Sequence, residues 1–524
     1  MCESTIAAPT AARPSRSLAT SAPRFAGPDG VPITYDNVTT PNFPIFTFPT
    51  GFNVDDASQY TLSSVANNQN FDADQEWSGA GDVAFPLRLF GGDDQLKFGT
   101  EIRFRTKTIT EIDDSFGIDA DGDLPPINLA TVSFPAIRYY ENHYSNGPQI
   151  QLFGFRKLLQ NGTIPQNAPP MFNQGSFIDD EENVYAGYVQ YGGQWGPWGL
   201  LAGVRVEATD AHYGAFVFDQ FGNATFDNRP VGYVNAFPSV QLRYRFTEQI
   251  QARLTYSTGI ARPGFNQNTS AASVNTTNSP GTAEITRGNP NLQPIYGQNF
   301  DLSVENYLPN GGVVQVGLFD KEFRNYIAAR IQRNVADPLT PPGDDDVVKT
   351  FLNVPYGYAR GFDADYRQRY AFLPKPFDGL GIDANITLVD SRFLEYDAQS
   401  VLITSGGVLN TAQHGLLPGT SPITWNVAGF YEAYGLELRL AAQYVEHSLF
   451  GLGGLKQFDT IQDNRLSLDW HSTYQIDKRW SVYFDAKNLL NTPLRYYEGQ
   501  PFRPIQREFY DATYEGGIRF RFGG

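Results

Sequence analysis

The 524-residue chain carries 39 Lys and Arg against 56 Asp and Glu, and its net charge of −17 excludes the basic footprint that nucleic acid requires. Charged residues make up only 18% while aromatics reach 14%, a poor coat for a water-soluble globule but a fitting one for a protein whose outside meets lipid. The single cysteine, Cys2, excludes a disulfide framework and a cysteine zinc site.

Residues 1–30 are rich in Ala, Pro, Ser and Thr and read as a disordered segment, with neither the apolar core of a secretory signal nor a lipoprotein pattern. A first strand is expected over 31–48, broken by Pro41 and Pro44, and a polar loop from there to about residue 74. From residue 82 onward strands come in pairs. Residues 82–90 and 96–108 flank Gly91-Gly92-Asp93-Asp94, and the second sets Leu96, Phe98, Ile102 and Phe104 against Lys97, Glu101, Arg103 and Arg105. A long insertion is expected at 111–182. Residues 184–195 and 198–209 flank Gly196-Pro197, with Leu200, Ala202, Val204 and Val206 set against Arg205 and Glu207.

The same rule continues through Val240 to Phe246, the turn Thr247-Glu248-Gln249, and Ala252 to Ile260. It returns on both sides of Leu308-Pro309-Asn310-Gly311, of Pro374-Lys375-Pro376 and of Gly435. In the last three strands Leu466, Leu468 and Trp470, then Trp480, Val482 and Phe484, then Tyr514, Ile518 and Phe520 alternate with polar residues. Side chains of a strand point to opposite faces with period two, so each strand has one apolar and one polar face. Mean hydropathy is −0.36, and no run of about 18 apolar residues occurs, so no transmembrane helix is predicted. Short turns alternate with long connections at roughly 111–182, 210–230, 262–293, 331–347, 396–420, 449–462 and 491–505. Strands of about ten residues, with tight turns on one rim and long loops on the other, predict an all-β antiparallel transmembrane β-barrel of about 16 strands over residues 31–524. The alternative is a soluble sandwich, whose strands usually run only about five or six residues.

Several short segments, in order, resemble the barrel of TonB-dependent outer-membrane receptors. Ala261-Arg262-Pro263-Gly264-Phe265 with Gly288-Asn289-Pro290-Asn291-Leu292-Gln293-Pro294 is similar to that family's ARP-x-F and GNP-x-L-x-P elements. Gly317-Leu318-Phe319-Asp320-Lys321, Tyr358-Ala359-Arg360-Gly361-Phe362-Asp363 and Leu417-Pro418-Gly419-Thr420-Ser421 follow in the family's order. Asn488-Leu489-Leu490-Asn491-Thr492-Pro493 matches its NLlD-x-P element with Asn491 in the usual Asp place, and residues 514–522 resemble its closing strand. The resemblance covers roughly residues 75–524. It implies Gram-negative outer-membrane lipid as surroundings, the TonB complex as partner and uptake of a small molecule or an oligosaccharide. Such receptors have about 22 strands, a signal peptide, a plug and a TonB-docking segment, and none of these last three is visible here. The expectation is therefore an N-terminally truncated barrel with compromised transport. The alternatives are a non-transporting fragment, passive pore or remnant, and a soluble β-sheet carbohydrate-binding protein.

No catalytic, cofactor or metal residues are assigned, and the chain is not expected to be an enzyme. His143, His212, His414, His447 and His471 are scattered, with His471 predicted to face the lumen. The acidic runs Asp119-Ala120-Asp121-Gly122-Asp123 and Asp344-Asp345-Asp346 lack the spacing of a calcium loop and read as solvated loops. The strongest ligand candidate is Arg138-Tyr139-Tyr140-Glu141-Asn142-His143-Tyr144, in the longest presumed extracellular insertion. Tyr139, Tyr140, His143 and Tyr144 would offer flat rings and polar edges to a ligand.

Overall fold

Period-two alternation becomes a two-sided sheet when each strand pairs with the next, and the computed structural model shows that arrangement. It describes residues 4–6, 15–16, 20–28, 31–36, 45–88, 94–116, 127–139, 144–166, 169–218, 223–275, 283–335, 337, 346–396, 402–404, 407–409, 412–453 and 456–522. Among them, fifteen long strands succeed one another. They are β1 (Thr61–Leu87), β2 (Asp94–Phe116), β3 (Ile178–Trp195), β4 (Trp198–Phe218), β5 (Ala224–Arg245), β6 (Ile250–Ala261), β7 (Ile295–Leu308) and β8 (Gly312–Val335). They continue as β9 (Asp346–Arg369), β10 (Leu380–Tyr396), β11 (Ile423–Ala433), β12 (Leu436–Val445), β13 (Arg465–Gln475), β14 (Trp480–Lys487) and β15 (Thr513–Phe520).

The chain divides into two compact units: residues 1–11, 76–105 and 180–524, and residues 12–75 and 106–179. In the first unit each strand from β5 to β15 pairs antiparallel with its predecessor. The short turns are built by local chemistry. Thr247 Oγ1 accepts from the amides of Gln249 and Ile250 at 3.1 and 3.0 Å. Asp477 Oδ1 does the same for Arg479 and Trp480 at 2.7 and 2.9 Å. Tyr434 and Gly435 both take positive φ, 54° and 77°, the two-residue hairpin geometry that matches strand twist.

The apolar face lies on the outside. Phe98, Ile102, Val206, Val240, Leu254, Leu302, Leu318, Val427, Leu440 and Phe484 all remain exposed and are not packed in an interior. On β4 the outward residues Trp198, Leu200, Ala202, Val204, Val206 and Ala208 oppose Tyr244, Leu242, Val240, Pro238, Ala236 and Val234 of β5. Ten residues of rise at about 3.4 Å each, tilted by about 45°, give a belt about 24 Å tall, the height of a membrane-spanning apolar band. Aromatic pairs border it at the short-turn rim: Trp198 with Tyr244 at 4.5 Å, Trp480 with Phe520 at 4.5 Å and Phe520 with Phe522 at 4.6 Å between centroids.

Three expectations change in extent. Residues 61–74, read as loop, belong to β1. Most of the expected loop at 210–230 is strand, with Thr209 opposite Tyr233 through Phe218 opposite Ala224. Backbone pairing continues past the belt, where Asp210, His212 and Gly214 replace the apolar residues of one face and Ala211, Tyr213 and Ala215 are buried on the other. Over 31–48 the sheet is only a short hairpin, Thr34–Asp36 with Ile45–Thr47. Within 1–30, Ser4–Ile6 pairs with β1 in the first unit, and Ser15–Arg16 and Thr20–Ala26 pair with β1 in the second.

The second unit has its own core of Leu62, Val65, Leu129, Val132, Phe155 and Ile164. Phe155 enters that core from α1 (Leu152–Gln160), a helix inside the segment read as insertion.

Candidate functional site

The polar face of the first unit forms a continuous ladder of ion pairs. Arg103 on β2 stands 3.3 Å from Glu182 on β3 and 4.0 Å from Glu76 on β1. Arg262, just past the end of β6, lies 2.7 Å from Glu207 on β4 and 3.9 Å from Glu182. Arg205 on β4 is 2.7 Å from Glu207 and 2.9 Å from Glu101 on β2. Alternating signs let each carboxylate meet a guanidinium, and the side chains of Glu182 and Glu207 are only 6% and 14% exposed. Burying such charges is tolerable only when they are paired in this way.

Arg262 is the arginine of the ARP-x-F element, and its Nη2 also donates to Thr209 Oγ1 at 3.0 Å. Phe265 of the same element lies under the guanidinium of Arg105 at 4.9 Å and beside the Tyr213 ring at 6.3 Å. The GNP-x-L-x-P element returns to the same place: the Asn289 amide donates to Gln267 O at 2.7 Å. Its side chain donates to Phe351 O on β9 at 2.8 Å, and the Gln293 amide donates to Asn353 Oδ1 at 2.8 Å. A Cβ on Gly288 would lie 2.2 Å from Thr269 O, so glycine is needed here for close backbone approach. By contrast, Gly419 of Leu417-Pro418-Gly419 does take the left-handed conformation, φ 74°.

His471 faces Asp485 across β13 and β14 on the polar side, with its Nδ1 against the carboxylate and Thr473 Oγ1 3.2 Å from Nε2. The carboxylate of Asp346 is fully buried and accepts from the Ala283 amide at 3.0 Å, so the last residue of that acidic run caps backbone. Asp119 through Asp123, Asp344 and Asp345 lie outside the described residues.

In the second unit Tyr139 and Tyr144 are brought opposite each other in a two-residue ladder, Arg138–Tyr139 with Tyr144–Ser145. Tyr144 meets Phe46 edge-on at 6.0 Å, and Arg138 lies 3.6 Å from Asp55, which also accepts from Ser145. Tyr140 and His143 lie outside the described residues. Beside this hairpin, burial and then the charges of Asp55 and Asp56 push the Tyr60 phenol above its ordinary pKa, and its hydroxyl donates to Val54 O at 3.0 Å. Ile137, Phe46 and Ile45 remain about half exposed around it.

Alternation predicted that Glu101, Arg103, Arg205 and Glu207 share one face, and the ladder confirms it. It did not single out Arg262 and Glu182 as partners. Their signal was the arginine of the ARP-x-F element and the acidic run at the start of β3.

A family model described as "TonB dependent receptor-like, beta-barrel" matches residues 10–489. Among solved structures, the chain is similar to the ferric-catecholate import receptor Fiu of E. coli K12, at 12% identity and TM-score 0.53, over 89% of this chain and 57% of that one. It is similar to the pyoverdine outer membrane receptor FpvA of Pseudomonas aeruginosa PAO1, at 13% identity and TM-score 0.52, over 88% and 57%. The ferric citrate transporter FecA matches at 11% identity and TM-score 0.51, over 88% and 60%. These likenesses concern the fold, and this chain spans less than two thirds of each of those lengths. No curated protein matches the chain.

Proposed function

The chain belongs to the TonB-dependent receptor-like β-barrel family, and from that premise we propose that it acts in the outer membrane as an uptake receptor for a small polar solute, energised through TonB. The observation that carries this reading is the opposed character of the two walls: exposed apolar side chains outside, and an ion-paired ladder from Glu76 to Arg262 inside. A lipid-facing sheet with a charged inner face suits a hydrophilic path across a bilayer. The ladder is internally compensated, so a solute meets hydrogen-bonding groups without one overwhelming sign of charge. Fiu and FecA are described as receptors or transporters of iron complexes, which makes an iron chelate the first solute class to test.

A second reading, oligosaccharide uptake, is favoured by the hairpin of Arg138–Tyr139 with Tyr144–Ser145, where the Tyr144 and Phe46 rings, the Arg138 guanidinium and the Asp55 carboxylate stand together as sugar stacking needs. Tyrosine fluorescence of the full chain in detergent micelles, titrated with ferric chelates and separately with oligosaccharides, tests both readings. Saturable quenching by one class is expected. Quenching by neither, with partition into water in the absence of detergent, overturns the receptor reading and leaves the soluble β-sheet alternative.

A further inference from the structure

The ladder arginines of the first unit each meet a carboxylate, and Arg439 likewise lies 2.9 Å from Asp383. Arg243 on β5 departs from that rule. Its Nη2 donates to Gln194 Oε1 at 3.1 Å, and among the described residues it forms no ion pair. The register sets it directly opposite Arg253 of β6 on one side and Gly199 of β4 on the other. Residues directly opposite share a face, with Cβ atoms about 4.5–5.5 Å apart, and like charges so placed repel. Arg245, two residues further along the same face, adds another guanidinium with no ion pair among the described residues.

One carboxylate serves this group. Glu305 of β7 has its Oε1 2.9 Å from Arg253 Nε. Its Oε2 already accepts from Gln251 at 2.6 Å and from Tyr307 at 2.7 Å, which leaves nothing for Arg243. Asp301, the other acid of β7 on this face, stands opposite Thr255 and forms no ion pair among the described residues. Three guanidiniums and one engaged carboxylate therefore leave an excess of positive charge.

The same residues frame a space at the short-turn rim. Gly199, Leu201, Gln241, Arg243 and Arg253 are among those lining a hollow of about 170 Å³. A water molecule occupies about 30 Å³ of liquid, so a small anion with part of its hydration fits. A Cβ on Gly199 would stand 3.2 Å from both Nε and Nη2 of Arg243, so glycine lets that guanidinium lie against β4. The Nε of Arg243 and that of Arg253 are buried without a well-directed acceptor, a state that buried donors rarely keep. The Gln241 side chain, two residues from Arg243 on the same face, has no hydrogen bond among the described residues.

We propose that this hollow binds a small oxyanion, of the phosphate or carboxylate class, between the guanidiniums of Arg243 and Arg253 with the Gln241 amide as a further donor. The fork of N–H groups on a guanidinium matches two oxygens of either anion, and the bound charge removes the repulsion between the opposed arginines. The site shares no residue with the Glu76–Arg262 ladder, so its occupancy is separate from the choice of transported solute.

Isothermal titration calorimetry tests the site, with the full chain in nonionic detergent micelles and a chloride buffer of low ionic strength. Inorganic phosphate and acetate are titrated separately. Saturable binding of at least one of them, at one site per chain, is expected, and the tighter of the two tells phosphate from carboxylate as the preferred class. Arg243→Gln and Arg253→Gln should each weaken that binding about tenfold or more, as loss of a charge-assisted hydrogen bond does. Arg479→Gln, which removes the same charge from an exposed turn outside the hollow, should leave it unchanged. Gly199→Ser keeps every charge but crowds the Arg243 guanidinium, and it too should weaken binding. Absence of saturable binding by both anions in the unaltered protein overturns the proposal whether or not any variant folds. Equal losses in Arg243→Gln and Arg479→Gln also overturn it, since they would mean diffuse attraction to the rim.

Discussion

Asn491 stands where the resembling family element has aspartate, and its contacts explain the choice. It takes φ 45°, its Nδ2 donates to Asp511 Oδ1 at 2.9 Å, and the Asp511 amide donates back to Asn491 Oδ1 at 3.1 Å. A second carboxylate at this position would lose the first bond and face a like charge. Asn491→Asp is therefore expected to lower stability by about 1 kcal/mol at neutral pH, the deficit closing in acid as carboxylates protonate, read from urea midpoints at the two pH values. Asp459 gives a pH dependence of its own. Burial raises its pKa above the ordinary carboxylate value of 3.8, while the Gly453 amide, donating at 3.0 Å, and the charge of Lys456 pull it down. The folded loop thus binds the proton more tightly than the unfolded chain. Its contribution is fully present below the unfolded value and is lost as pH rises through the folded one. Asp459→Asn should remove that loss while keeping the acceptor, seen as a flatter pH profile of Gly453 amide protection. At this scale the sequence showed which charges share a face, because parity alone decides that. It did not show which charges pair, because Arg262 and Glu207 lie 55 residues apart and meet only through the strand register.

Strands were legible where one face meets lipid and the other does not, as in the alternation of Leu200, Ala202, Val204 and Val206 with Arg205 and Glu207. They were not legible above the belt, where Thr209 to Phe218 stays paired with Ala224 to Tyr233: there Thr209, Ala211, Tyr213 and Ala215 are buried, while Asp210, His212 and Gly214 break the apolar rhythm of the other face. The belt makes a sharp prediction. Val204 sits in its middle, so Val204→Arg should destabilise the folded protein by about 2–4 kcal/mol in lipid vesicles, measured by denaturant unfolding. A result near zero would mean that this face does not contact hydrocarbon. The loop elements are rigid for a different reason. Gly288 admits no side chain against Thr269 O, and Gly288→Ala is expected to cost about 1–3 kcal/mol by displacing backbone that cannot yield.

For the whole molecule, the fold class followed from composition and alternation together: few charges, many aromatics and ribbons with one apolar face. The division into two units did not follow, because the core of the second joins Leu62 and Val65 to Phe155 and Ile164, residues separated by a segment that reads as plain insertion. If the sheet of the first unit forms a membrane barrel, unheated protein should run faster on a detergent gel than heated protein, and equal mobility would argue against it.

The outward side of β8 to β10 has a consequence for the bilayer itself. On β8 only Val314, Val316 and Leu318 precede Asp320, which lies 2.9 Å from Arg360 on β9, with Asp390 of β10 registered opposite Arg360. On β4 six outward apolar positions precede Asp210. Charges and tyrosines of headgroup character therefore begin lower on one flank than on the other. If the sheet of the first unit spans a bilayer, acyl chains beside β8 are expected to be shorter than those beside β4.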